Sequence, residues 1–239
     1  MRKPPGYQRI RHDRASWHLA CSGIFGKAPR NVGAYRRIQQ GGLTMRKKIF
    51  RQMAVSGLLA AALFVSVAPV LAAGLTPEEQ KQLVFIREEE KLARDVYIAM
   101  YETWGSLVFS DIKASEQNHM DAVLRLLVKY GIPDPASAQI GVFNDANLQE
   151  LYQKLVAQGQ TSLLGAMMAG AWIEEADIRD LRAAIDGTTK TDLRRVYGNL
   201  EEGSGNHLRA FVSHIEALTG QRYVAQILPQ DEVDEILGR

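Results

Sequence analysis

The sequence predicts an all-α fold: four long helices in a bundle, one long connection between the second and third, and a short helix at the C-terminus. Three observations predict it. Four stretches carry apolar residues at steps of 3 and 4, which keeps them on one helix face. Gly and Pro breakers fall between these stretches. No stretch alternates apolar and polar residues as a half-buried strand does.

The first helix opens at Thr76-Pro77-Glu78-Glu79, with Thr76 as N-cap, Pro77 at the first helical position and Glu79 completing a capping box. It runs to about Glu102, before Gly105. The second starts near Ser110-Asp111 and ends before Gly131-Ile132-Pro133. A connection over roughly 131–160 follows, broken by Pro133, Pro135 and Gly141, with a short amphipathic helix from Leu148 to Ala157. The third helix follows Thr161-Ser162 and ends near Asp186-Gly187. The fourth starts after Thr188-Thr189 and stops at Gly220. A tail helix spans Asp231 to Leu237. Short connections join first to second and third to fourth, so each pair is expected to be antiparallel. The long connection can cross the length of a bundle.

Polar groups able to bind metal interrupt every stripe. The stripes run Leu83, Ile86, Glu90, Ala93, Tyr97, Met100, then Ile112, Glu116, His119, Val123, Leu126, Tyr130. The third is Leu163, Met167, Gly170, Glu174, Asp177, Leu181, and the fourth Leu193, Tyr197, Leu200, Ser204, His207, Phe211, His214, Leu218. Glu90, Glu116, His119, Glu174 and His207 are therefore expected to share one core. Buried carboxylates are costly unless something offsets their charge, and metal cations do so most simply. Glu88 and Glu89 fall off the stripe and are assigned to solvent. Glu174, rather than Glu175, matches the phase of Gly170 and Leu181. Asp177, one turn on, is a ligand or a hydrogen-bond acceptor behind the ligands. Tyr97, Tyr197, Trp104 and Trp172 read as packing residues, and His214 as an interior or boundary histidine.

Glu90-Lys-Leu-Ala-Arg-Asp-Val-Tyr97 with Glu116-Gln-Asn-His119 resembles the first half of a ferritin or rubrerythrin di-iron bundle. Ile173-Glu174-Glu175-Ala-Asp177-Ile and Gly203-Ser204-Gly205-Asn206-His207-Leu-Arg-Ala-Phe211 resemble an exported prokaryotic branch of that superfamily, known mainly as a domain of unknown function. The resemblance covers about 76–225. It implies a ferritin-like fold with metal ligands Glu90, Glu116, His119, Glu174 and His207. It also implies a second Glu-x-x-His on the fourth helix, where this chain has Ser204-x-x-His207. Glu201, Glu202, Asp177 or water would fill the gap. Gly203 and Gly205 inside a helix cost about 1 kcal/mol each. They mark a π-bulge, a close helix approach, or a helix break capped by Ser204.

Met45 begins a basic segment with Arg46, Lys47, Lys48 and Arg51, followed by an apolar run from Met53 to Leu71 and a small-residue end at Ala72-Ala73. Residues 45–72 read as a secretory signal peptide cleaved after Ala72, with an uncleaved span as the competing reading. Residues 1–44 are basic and aperiodic, and translation is expected to start at Met45. Of 29 Lys+Arg, 13 precede residue 73, against Asp13 alone, so 73–239 holds 16 basic and 26 acidic side chains, net −10. That charge argues against nucleic acid and anionic membranes as partners. Cys21 is the single cysteine, so 73–239 has no thiolate chemistry. Residues 73–239 suffice for one domain with its own core.

Carboxylate and imidazole without thiolate suit iron, with manganese or zinc as alternatives. The function expected is that of an exported di-iron protein, periplasmic or extracellular, reacting with dioxygen or peroxide as a ferroxidase or peroxidase. A non-catalytic metal-binding or structural bundle is the alternative, favoured by Ser204. A hydrolase through Ser204 and His207 lacks an orienting acid and an oxyanion hole. No membrane insertion is expected after cleavage, and a homo-oligomer is compatible with the sequence.

Overall fold

The computed structural model describes residues 74–239. The readings of 1–44 and of the 45–72 signal segment lie outside them. The described residues form six α-helices and no strand: α1 Pro77–Trp104, α2 Leu107–Tyr130, α3 Ala146–Gly159, α4 Leu163–Gly187, α5 Thr191–Thr219 and α6 Gln230–Leu237. Among them no helix is long and apolar enough to cross a membrane.

Local chemistry sets the ends. The Thr76 hydroxyl accepts from Glu79 N–H at 3.1 Å while the Glu79 carboxylate accepts from Thr76 N–H at 2.8 Å, the capping box read from the sequence. Gly105 ends α1 at φ 63° and Ser106 stands at the N-cap position of α2 without a side-chain cap bond, so α2 starts at Leu107, earlier than Ser110. A left-handed residue turns the chain within a single position, which no side chain there could do cheaply. α3 also begins earlier than expected, because Asp145 accepts from Asn147 N–H and Leu148 N–H. α5 is one continuous α-helix through Gly203 and Gly205, with neither a break nor a π-bulge.

α1 packs on α2, α4 on α5, α1 on α4 and α2 on α5, closing a four-helix bundle; α3 lies against α1 and α4, and α6 against α5. Ion pairs and hydrogen bonds orient them. Thr188 Oγ1, just past the end of α4, donates to Glu79 Oε1 at the start of α1 at 2.6 Å. Lys129 and Tyr130, at the end of α2, donate to Asp192 at the start of α5 at 2.7 and 2.8 Å. At the other pole Trp104 Nε1 donates to Gly159 O at 2.9 Å. The connection from α2 to α4 therefore traverses the bundle. At the first pole, Leu83, Ile86, Val123, Leu127, Leu193 and Tyr197 belong to one apolar cluster.

The crossover changes the status of α1's outer face. Glu88, Glu89, Lys91 and Asp95 are all buried, so the expectation that Glu88 and Glu89 face solvent is wrong. Glu88 accepts from Asn144 N–H at 2.7 Å and Asp145 N–H at 3.2 Å. Lys91 pairs with Asp95, donates to Gln139 O at 2.9 Å and lies over the Phe143 ring. Asp95 also accepts from Gly141 N–H at 2.8 Å, and Arg87 forms a two-point pair with Asp134. A charged helix face thus serves as the seat of the crossover.

The end of the fourth stripe drifts. Phe211, Val212 and Ile215 are buried, whereas His214 is exposed and Leu218 is half exposed. His214 is a surface residue, not an interior one.

Candidate metal centre

Each long helix delivers one or two groups to the middle of the bundle. On α2, Glu116 and His119 are three residues apart and so lie on one face. Glu90 comes from α1, Glu174 from α4 and His207 from α5. All five are buried. Ligand atoms of Glu90, Glu116 and His119 lie within 4.8 Å of one another, as do those of Glu116, Glu174 and His207. These two clusters could each hold a metal ion. Glu116 is common to both. Its Oε2 lies 2.9 Å from His119 Nδ1 and its Oε1 2.7 Å from His207 Nδ1. His119 Nδ1 also meets Glu90 Oε2 at 3.1 Å, and His207 Nδ1 lies 3.4 Å from Glu174 Oε2. The two rings stack with centroids 5.4 Å apart.

Three neighbours lie against three of these five residues. Tyr97 donates to Glu174 Oε1 at 2.5 Å, which fixes that carboxylate. Ser115 Oγ lies 2.9 Å from His207 Nε2, on the ring edge opposite Nδ1. Gly203 faces His119 Nε2 so closely that a β-carbon would be 2.5 Å away.

The charges are strongly coupled. Burial alone would raise the Glu116 carboxyl, but the imidazoles on both sides outweigh it and hold it at about 2. Burial would depress His119, yet Glu116 and Glu90 raise it to about 11. His207 is likewise raised to about 10 against burial, by Glu174 and Glu116. Burial pushes Glu90 up to about 7, with His119 opposing, and pushes Glu174 up, with His207 opposing. In the metal-free protein the imidazoles therefore hold protons where cations would sit.

The donor set fits a metal. Both Glu116 oxygens, Glu174 Oε2 and His207 Nδ1 are buried with no hydrogen-bond partner beyond the imidazole–carboxylate contacts just described. Such atoms are rare in folded proteins unless water or an ion satisfies them.

The other sequence candidates separate. Asp177 is buried, and Glu89, Glu90, Glu174 and Glu116 all act on it electrostatically. Ser204 is buried and its hydroxyl has no hydrogen-bond partner. Glu202 is exposed, so it points away from the buried clusters; Glu201 pairs with Arg182 at 2.7 Å. Tyr197 belongs to the apolar cluster at the pole. Glu175 is fully buried in a different role. It accepts from the N–H groups of Gln226, Ile227 and Leu228 and from Tyr223 OH, and so anchors the segment before α6. Sequence reasoning does not single out Ser115; its place one residue before Glu116 is the only local hint.

The family described as an uncharacterized protein domain, DUF2202, matches residues 79–239. The chain belongs to the DUF2202 family. All five residues of the two clusters fall within the DUF2202 match. The chain is 46% identical over 165 residues to the uncharacterized protein MJ0754 of Methanocaldococcus jannaschii, spanning 69% of this chain and 89% of that protein. The crystal structure of MJ0754 from Methanococcus jannaschii is similar to this DUF2202 chain with a TM-score of 0.67, covering 69% of this chain and 94% of that one.

Proposed function

We propose that this DUF2202 protein is a ferritin-like two-metal carboxylate protein whose ligands are Glu90, Glu116, His119, Glu174 and His207, with iron as the metal. The observation that carries the reading is Glu116: its two oxygens face two different histidines, each backed by its own carboxylate. A shared carboxylate flanked by two matching donor sets suits a pair of ions. The helix order supports it too, since one long crossover between two hairpins is the ferritin-like connectivity. Oxygen and nitrogen donors without thiolate suit iron, then manganese or zinc.

Two ferrous ions in such a site would supply electrons to dioxygen or peroxide, giving a ferroxidase- or peroxidase-type activity. The chain's own groups orient the donors: Tyr97 holds Glu174 and Ser115 holds His207. The signal-like segment at 45–72 supports export, and the acidic balance of 73–239 supports cations rather than nucleic acid as partners. A second reading, metal binding without turnover, draws on Ser204, which leaves α5 without a carboxylate among the five.

Iron content after anaerobic ferrous loading tests the proposal, with oxygen uptake followed on admission of air. About two irons per chain are expected, lost in a Glu116→Ala/His119→Ala variant. Two irons without oxygen uptake would select the second reading. Unchanged iron content in the variant would defeat both.

A further inference from the structure

Resting on the two-metal reading above, we propose that Asp177 is a fourth carboxylate ligand of the centre, serving in place of an acid at position 204. Asp177 lies one turn from Glu174 on the same face of α4. It is 1% exposed, and its Oδ2 has no hydrogen-bond partner. The acids acting on it are Glu89, which is in neither cluster, and three cluster members: Glu90 of one, Glu174 of the other and Glu116 of both. Arg179 is within electrostatic reach, but its guanidinium is paired with Asp180 at 2.9 Å.

A buried acid among acids has two costly states. Ionised, it suffers repulsion and desolvation; protonated, it leaves acceptor capacity unused. A cation removes both costs. Charge balance points the same way. Two divalent ions bring four positive charges, and Glu90, Glu116 and Glu174 bring three negative ones, since ligating imidazoles are neutral. Asp177 makes the buried centre neutral. Ser204 cannot supply that charge, Glu202 is exposed, Glu201 is held by Arg182, and Glu89, though its Oε1 is also unpartnered, lies against Asp180 and Arg179 rather than one turn from a cluster ligand on α4. Asp177 stands outside the two tight clusters, so it has to turn toward them on loading.

Cobalt(II) titration of the purified protein, in competition with a chelator and followed by visible absorption, tests the assignment. The wild type is expected to bind two ions. Asp177→Asn is expected to keep the first and to bind the second about tenfold more weakly or worse, while Ser204→Ala keeps both unchanged. The absorption of the second ion should also shift in Asp177→Asn, a change that a merely structural role would not produce. Metal-free Asp177→Asn should melt no lower than the wild type, because an unpaired buried acid has been neutralised. Asp177→Ala, checked by circular dichroism, provides the second variant. Unchanged affinity and absorption for the second ion in both variants would overturn the assignment. Fewer than two ions in the wild type would overturn the two-metal reading itself, and it is recognised separately because Asp177 is intact there.

Discussion

The imidazole of His119 lies against the bare backbone of Gly203, where a β-carbon would sit 2.5 Å from Nε2 and 2.7 Å from Cε1. The three nearest atoms to that position outside the local helix backbone all belong to His119. Glycine in a helix interior costs about 1 kcal/mol relative to alanine, and here the ring explains it. Gly203→Ala should therefore have two effects. The metal-free protein should be less stable than the wild type, because the displaced imidazole loses its contacts with Glu116 and Glu90, which outweighs the helix propensity that α5 gains. The rise in melting temperature on metal loading should shrink, because His119 is displaced. Thermal unfolding with and without metal reads both; an unchanged metal-induced rise would count against His119 as a ligand.

Ser115 performs the matching task for His207. Its Oγ lies 2.9 Å from Nε2, so an Nε2–H donated to it leaves Nδ1 facing Glu116 and Glu174. Loss of such a partner typically costs 10- to 100-fold in metal affinity. Ser115→Ala should weaken binding by about that range, and Ser115→Thr, which keeps the hydroxyl, should restore most of it. Equal affinities for Ala and Thr would mean that the hydroxyl does not orient the ring.

How far the sequence is legible depends on the range of the interaction. Thr76-Pro77-Glu78-Glu79 announces a helix start because a capping box closes within one turn. Glu90, Glu116, Glu174 and Ser204 are read as buried from periodicity alone, and all are. Glu88 is misread because its burial comes from the crossover, whose Asn144 and Asp145 bind it from more than 50 residues away, and Glu89 because it faces Asp180 and Arg179 of α4. Ser115 escapes notice for the same reason, since its partner is 92 positions distant. His214 and Leu218 are misread through accumulated phase: steps of 3 and 4 average slightly less than a helical turn, and the stripe drifts by about 20° per heptad.

Glu175 invites a test of stability uncoupled from metal. Its carboxylate accepts three backbone N–H groups and the Tyr223 hydroxyl, pinning the segment before α6 to α4. Glu175→Ala strands those donors, and each buried unsatisfied group costs about 1–3 kcal/mol. A loss of about 3 kcal/mol is expected in denaturant unfolding, with proteolysis appearing first in the tail. Metal stoichiometry should be unchanged, because Glu175 is in neither cluster. A coupled loss of metal would show that the tail supports the centre.

The protonation pattern predicts how pH acts on binding. His119 is raised to about 11 and His207 to about 10, so both carry a proton at neutral pH in the metal-free protein. Each must lose it to become a ligand, so loading two ions should release about two protons. Affinity should therefore climb steeply from pH 6 to 8. Calorimetry in buffers of different ionisation enthalpy counts the protons directly. Metal-free stability has the opposite sign. Both folded values lie above the ordinary 6.5, so the imidazolium contribution is full below that pH and is lost as pH rises through about 10 and 11. Raising the pH should thus strengthen metal binding and, further up, weaken the metal-free fold. Binding independent of pH between 6 and 8 would mean that His119 and His207 do not exchange protons for metal.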